Sequence, residues 1–154
     1  MTIVDDFIAP PCFGEIRILY QDEDILLIDK PSGLLSLSGK NPLNKDSVHY
    51  RLVQGQLKGP VVKQERRAFP TATLVHRLDF GTSGIMLVAL NKQVNALLGK
   101  QFQERTISKS YIAVLQGQLK NDEDVIEFPI AKDKPNFPLQ KICIDTGKSA
   151  RSQY

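Results

Sequence analysis

Residues 15–30 read EIRILYQDEDILLIDK, two short runs rich in isoleucine and leucine on either side of the polar quartet Gln21-Asp22-Glu23-Asp24. Each run is of strand length and the quartet is turn-forming, so the stretch predicts a hairpin. Pro31-Ser32-Gly33 ends its second strand, and residues 39–44 form a polar loop containing glycine and proline. Beyond that loop, Asp46 or Ser47 can cap a helix through Val48, Leu52 and Val53, whose spacing keeps the apolar side chains on one face; the helix is expected to end near Gly55. Residues 59–73, GPVVKQERRAFPTAT, have no steady period and predict an exposed basic loop carrying Lys63, Arg66 and Arg67. Residues 84–91, GIMLVALN, are the most apolar stretch and suit a buried strand, and Val94, Leu97, Leu98 and Phe102 then fall at helical spacing within residues 91–106. Three further strand-like runs follow at residues 110–116, 124–130 and 140–144, divided by Asn121-Asp122 and the proline-bearing residues 134–138. The pattern is α+β, with a mixed, largely antiparallel sheet and flanking helices.

Composition narrows the class. A chain of 154 residues, 42% hydrophobic, can bury one sizeable core, and we expect a single domain. No apolar run approaches the roughly 18 residues of a membrane span, and the opening MTIVDDFIAPP is acidic where a signal peptide is basic, so we expect no membrane partner and a cytoplasmic location. Cys12 and Cys143 stand far apart, and His49 and His76 are the only histidines, which leaves no spacing for structural zinc or a disulfide framework. The net charge of +3 is unevenly spread: residues 1–30 carry seven acids and two bases, and residues 31–154 carry eighteen bases and ten acids. A basic body suits a polyanionic partner such as nucleic acid, although lysines that only solubilise a surface give the same count.

Chemistry concentrates in residues 76–84, HRLDFGTSG, where Asp79 sits in a loop rich in glycine, threonine and serine directly before the apolar strand. Such a loop can hold a carboxylate at a pocket wall, with Arg77 near enough to meet a phosphate or a carboxylate. The same residues also permit a purely structural role, in which Asp79 caps the turn by accepting from the amides of Gly81 or Thr82.

The HRLDFGTSG segment followed by IMLVALNK resembles the signature of RluA-type RNA pseudouridine synthases. Three more blocks agree in order: ILYQDEDILLIDKPSGLLS at residues 18–36 is similar to the family's opening hairpin and its lysine-proline turn, KSYIAVLQG at residues 109–117 to its tyrosine strand, and GKSARSQY at residues 147–154 to a later strand start. The short N-terminus without a preceding RNA-binding module, with KDSVHYRL at residues 45–52 and QKICIDTGKSA at residues 140–150, looks most like the branch that modifies both large-subunit ribosomal RNA and transfer RNA.

The resemblance implies the pseudouridine synthase catalytic fold and a cofactor-independent isomerisation of uridine in a structured RNA stem-loop. Asp79 matches the catalytic aspartate, acting either as nucleophile or as base. Tyr111 matches a tyrosine that packs on the uracil ring, where stacking contributes on the order of 1 to 3 kcal/mol; residues alone also fit a strand tyrosine facing a core. Arg77 matches an arginine that enters the space left by the flipped nucleotide or meets the RNA backbone. Beside it, His76 is a further RNA-contact candidate, although a lone histidine next to an apolar strand more often shapes the loop. Lys63, Arg66 and Arg67 are candidate phosphate contacts, with a solvated basic loop as the plain alternative.

The resemblance also implies a further C-terminal segment that supplies a basic partner for the aspartate and an apolar wall for the uracil pocket. We therefore expect a catalytic domain missing its C-terminal part, inactive as 154 residues alone, and monomeric. The competing reading is an RNA-binding module that keeps the fold without catalysis, against which the retention of both Asp79 and Tyr111 counts. A phosphoryl-accepting or hydrolytic carboxylate is weaker, because no paired metal-binding acids or phosphate loop accompany Asp79.

Overall fold

The computed structural model describes residues 7–58, 68–136 and 139–154. The hairpin predicted at residues 15–30 is present as β1 (Arg17–Gln21) and β2 (Ile25–Lys30), paired antiparallel. Its turn is held by Asp22, whose Oδ1 accepts from the amides of Asp24 and Ile25, both at 2.8 Å. Those two amides, Ile25 first, draw the Asp22 carboxyl below its ordinary pKa. The helix α1 (Val48–Gln54) follows, with Ser47 rather than Asp46 at its N-cap: Ser47 Oγ accepts from Tyr50 N–H at 3.1 Å. Gly55 ends it in the left-handed region at φ 69°, where an L side chain is strained. Strand β3 (Thr73–Leu74) and strand β4 (Gly84–Ala89) then precede α2 (Lys92–Gln103), capped by Asn91 Oδ1 accepting from Val94 N–H at 2.9 Å.

These elements belong to the first of two compact units, residues 1–109. Its sheet has the order β1-β2-β4-β3, all pairs antiparallel, with Leu26 opposite Val88 and Lys30 opposite Gly84. Alternation along β2 buries Leu26, Ile28 and Lys30 on one face, where the two apolar residues join Met86 and Val88 of β4 and Val48 and Leu52 of α1 in the core. The same period that makes β2 amphipathic therefore carries a lysine inward at its last position.

The core includes a second cation. Arg51, 1% exposed, points from α1 to Asp46, with Nε to Oδ1 at 2.7 Å and Nη2 to Oδ2 at 2.6 Å. It also donates to the carbonyls of Gly14 and Cys12, which ties the chain before β1 to α1. Asn44 does the same farther upstream, donating to Phe7 O at 2.6 Å and accepting from Ala9 N–H at 2.8 Å.

The second unit, residues 110–154, contains β5 (Val125–Lys132), β6 (Gln140–Ile142) and β7 (Lys148–Gln153) in the antiparallel order β6-β5-β7. The strands expected within 124–130 and 140–144 are thus found, and residues 147–154 supply the later strand. The strand expected at residues 110–116 is not found. That run has the apolar alternation of a strand, but among the described residues it joins no ladder, and Ile112 and Val114 are 100% and 99% exposed. Propensity makes a segment ready to pair; only a neighbouring strand that takes its amides and carbonyls makes it a strand.

Removing the charge opposite Arg51 leaves a buried guanidinium without its counter-ion. Asp46→Asn is expected to lower the unfolding free energy by about 1 to 3 kcal/mol, read as a lower urea midpoint; an unchanged midpoint would show that the carbonyls alone satisfy Arg51.

Candidate active site

Asp79 lies on the connection between β3 and β4, and that connection is held from beneath by the segment that leaves β2. Ser36 Oγ donates to Leu78 O at 2.6 Å and accepts from Leu78 N–H at 3.2 Å. Ser32 Oγ donates to Gly81 O at 2.8 Å, and Gly33 N–H donates to Phe80 O at 2.9 Å. Gly33 makes that bond at φ 75°, a conformation that favours glycine at the end of the Pro31-Ser32-Gly33 turn. The Lys30 ammonium donates to Thr82 O at 2.7 Å, Pro31 O at 3.0 Å and Phe80 O at 3.3 Å. Every residue from Leu78 to Thr82 except Asp79 thus offers a main-chain group to residues 30–36.

Asp79 is bonded only within its own turn, where its main-chain oxygen accepts from Thr82 N–H at 3.1 Å. The turn-capping alternative for the carboxylate is not what forms: among the described residues it accepts from neither the Gly81 nor the Thr82 amide, and the latter goes to the main-chain oxygen. Among the described residues the exposed carboxylate accepts no hydrogen bond and makes no ion pair. Its charge is nevertheless felt below: burial lowers the Lys30 pKa from its ordinary value, and the fields of Cys12 and then of Asp79 oppose that lowering.

His76 faces the other way. Its Nε2 accepts from Leu87 N–H of β4 at 3.0 Å, and its ring stacks on Phe102 of α2 with centroids 4.7 Å apart and planes 20° apart. Accepting at Nε2 requires a neutral imidazole with its proton on Nδ1. Burial, and then the charge of Lys109, which sits 5.7 Å above the Phe102 ring, lower the His76 pKa. Arg77, between His76 and Leu78, is exposed and makes no hydrogen bond or ion pair among the described residues.

His76, Arg77 and Asp79 are therefore presented by one loop of the first unit. Tyr111 belongs to the second unit and is 63% exposed there. Lys63, Arg66 and Arg67 lie outside the described residues. Among the described residues no group of histidine, cysteine and acidic side chains could hold a metal ion, and no helix is long and apolar enough to cross a membrane.

Comparison with known proteins places this loop in context. The family described as RNA pseudouridylate synthase matches residues 24–154, and the chain belongs to that family. It is 47% identical over 137 residues to the dual-specificity RNA pseudouridine synthase RluA of Yersinia pestis, covering 89% of this chain and 60% of that protein. With the protein of the same name from Escherichia coli strain K12 it shares 41% over 145 residues, covering 94% of this chain and 60% of the relative. The chain thus spans about 60% of the length of these curated relatives. In fold it resembles human RNA pseudouridylate synthase domain containing 1, with a TM-score of 0.65 at 23% identity over 94% of this chain and 53% of the other. Human RNA pseudouridylate synthase domain containing 4 gives a TM-score of 0.58 at 24% identity, over 88% of this chain and 47% of the other.

The sequence marks Pro31-Ser32-Gly33 as the end of a strand but does not reveal that Lys30 is buried, nor that Ser32 and Ser36 hold the Asp79 loop. One signal was available: Lys30 continues the Leu26, Ile28 alternation, so a strand ending at Lys30 had to turn that lysine inward.

The histidine gives a pH test. Its folded pKa lies below the ordinary value of 6.5, so as pH falls the unfolded chain takes up the proton first. Its contribution to stability is complete above about pH 6.5 and declines below it. His76→Gln, whose side-chain oxygen can still accept from Leu87, is expected to flatten the fall in unfolding free energy between about pH 7 and about pH 5. An identical pH profile in the variant would contradict the neutral, accepting imidazole.

Proposed function

We propose that this chain carries the catalytic aspartate of an RNA pseudouridine synthase. The carrying observation is the Asp79 carboxylate, exposed and without a hydrogen bond or ion pair among the described residues, on a loop in which Leu78, Phe80, Gly81 and Thr82 each bond residues 30–36 through the main chain. A carboxylate that did only structural work would be bonded within its own turn; one kept for a substrate is left free on a rigid support.

In this reading a uridine is flipped out of a structured RNA loop, since C1′ and C5 are inaccessible in a stacked base. Asp79 attacks as nucleophile or acts as base, the C1′–N1 bond breaks, and uracil turns and rejoins through a C1′–C5 bond. C5 loses its proton and N1 gains one, so the reaction is a net isomerisation and consumes no cofactor. Tyr111 packs on the uracil ring and handles the C5 proton. Arg77 meets the RNA backbone or fills the vacated space; His76 is a further RNA-contact candidate, and Lys63, Arg66 and Arg67 contact phosphates. The substrates are ribosomal and transfer RNA stem-loops, as the family resemblance of the sequence implies, and the relatives are named dual-specificity RNA pseudouridine synthases. The enzyme acts as a cytoplasmic monomer, and residues 1–154 form one incomplete catalytic domain.

RNA tritiated at uridine C5 tests the reading. A longer chain containing these residues is expected to release tritium, and residues 1–154 alone are expected not to. Asp79→Asn should slow release by at least about a hundredfold, the scale of a lost acid–base group, while RNA affinity falls by less than about threefold. Undiminished release from the variant would remove Asp79 from the chemistry, and RNA binding without release by any chain would favour a binding module.

A further inference from the structure

We propose that Phe7 is a positioning residue for the Asp79 loop. A strap formed by residues 7–14 carries its ring to Phe80, the residue after Asp79, and so fixes the apolar side chain beside the carboxylate. The proposal rests on reading Asp79 as the reacting group, but its geometry stands by itself. The Phe7 and Phe80 rings meet edge to face, with centroids 5.5 Å apart and planes at 79°. Aromatic pairs favour that arrangement beyond plain burial. Both rings are half-buried and neither belongs to the core of the first unit, so the pair is an addition to the core, placed next to the carboxylate.

The sequence of the strap, FIAPPCFG, explains why side chains hold it. Pro10 and Pro11 have no amide hydrogen and a fixed φ, which favours an extended segment that cannot take a regular place in a ladder. Asn44, 4% exposed, supplies what a neighbouring strand would: its Nδ2 donates to Phe7 O at 2.6 Å and its Oδ1 accepts from Ala9 N–H at 2.8 Å. Asn44 is itself fixed, its main-chain N–H donating to Asn41 O and its main-chain O accepting from Gly39 N–H, both at 2.9 Å. Farther along, Arg51 holds the carbonyls of Cys12 and Gly14, and Cys12 Sγ donates to Ser32 O at 3.5 Å. A Cβ at Gly14 would come within 2.5 Å of Pro31 Cβ, so the strap lies directly against the turn whose Ser32 and Gly33 bond Gly81 and Phe80.

Phe80 is held at its main chain, where its carbonyl accepts from Gly33 N–H, but that bond does not set the rotamer of its side chain. Among the described residues the ring contact of Phe80 is the one with Phe7. Without it the Phe80 ring would move among staggered positions one residue from the carboxylate, and an extruded nucleotide would meet a changing wall. Loss of Phe7 therefore loosens the placement of the nucleotide against Asp79 while removing no group that reacts. RNA affinity, which rests mainly on phosphate contacts, should be little affected.

The test reads the contact in the 154-residue chain and the rate in a longer active chain. In the unsubstituted chain, NMR cross-relaxation should connect the Phe7 and Phe80 ring protons. In Phe7→Ala the Phe80 ring signals should move while the β2–β4 amides keep their shifts. Phe13→Ala, which removes a strap ring that is 71% exposed, should change neither the Phe80 signals nor the rate. In the longer chain, Phe7→Ala should lower kcat at least about fivefold with KM for RNA unchanged within about twofold, and Phe7→Tyr should recover part of the loss. In a Phe80→Leu background, Phe7→Ala should lower kcat by less than about twofold more, because a ring that acts through Phe80 has nothing left to act on. Absence of contact between the two rings, a kcat indifferent to Phe7, or equal losses in both backgrounds would overturn the proposal. If Phe7→Ala does not fold, Phe7→Leu, which keeps apolar bulk without a ring, takes its place in each comparison. If no chain releases tritium, the functional reading fails, while the ring contact and the Phe80 shifts still decide whether the strap holds Phe80.

Discussion

An ammonium taken out of water is costly unless each of its protons finds an acceptor, and the first unit of this chain is arranged around one that does. Lys30 sits on the core face of β2, and the acceptors it requires come from the turn that follows it and from the loop before β4. That single requirement brings together two segments about fifty residues apart in sequence. Ser32, Gly33 and Ser36 extend the same seam, so the loop cannot be displaced at one point without disturbing the others.

From this follows the state of Asp79. A loop made mainly of small polar residues would ordinarily satisfy itself by folding its carboxylate back onto nearby amides. Here the carbonyls of Phe80, Gly81 and Thr82 bond residues 30–36, the Leu78 amide goes to Ser36, and the Thr82 amide goes to the Asp79 main-chain oxygen. The carboxylate is left outward. On the far side of the loop, His76 fixes the chain to β4 and α2 with a neutral ring, which separates the part of the HRLD segment that anchors from the part that faces solvent. Membership in the RNA pseudouridylate synthase family is consistent with a group kept free for a nucleotide.

Much of this was legible in the sequence where a period or a cap carries the signal. The β1–β2 hairpin, α1 with its glycine stop and α2 after β4 all follow from alternation, spacing and turn residues. The choice between Asp46 and Ser47 as cap was open because both residue types cap well; Ser47 takes it, since Asp46 is drawn away by Arg51. The failures share a physical cause. A buried Lys30, Arg51 or Asn44 reads in sequence like a surface residue, because its burial depends on acceptors tens of residues distant. Residues 110–116 look like a strand because propensity is local and pairing is not. The role proposed for Tyr111 rests on resemblance to a family alone, as nothing in its sequence neighbours distinguishes a base-stacking ring from a core tyrosine.

What matters most is that the Asp79 carboxylate makes no hydrogen bond or ion pair within the fold among the described residues. The most direct test is the unfolding free energy of Asp79→Asn at neutral pH against that of the unsubstituted chain. A difference within about 0.5 kcal/mol, the range of a surface group without partners, is the expected result. A loss of more than about 1.5 kcal/mol would mean that the carboxylate is bonded within its own loop, and the account of an aspartate held out for substrate would be wrong.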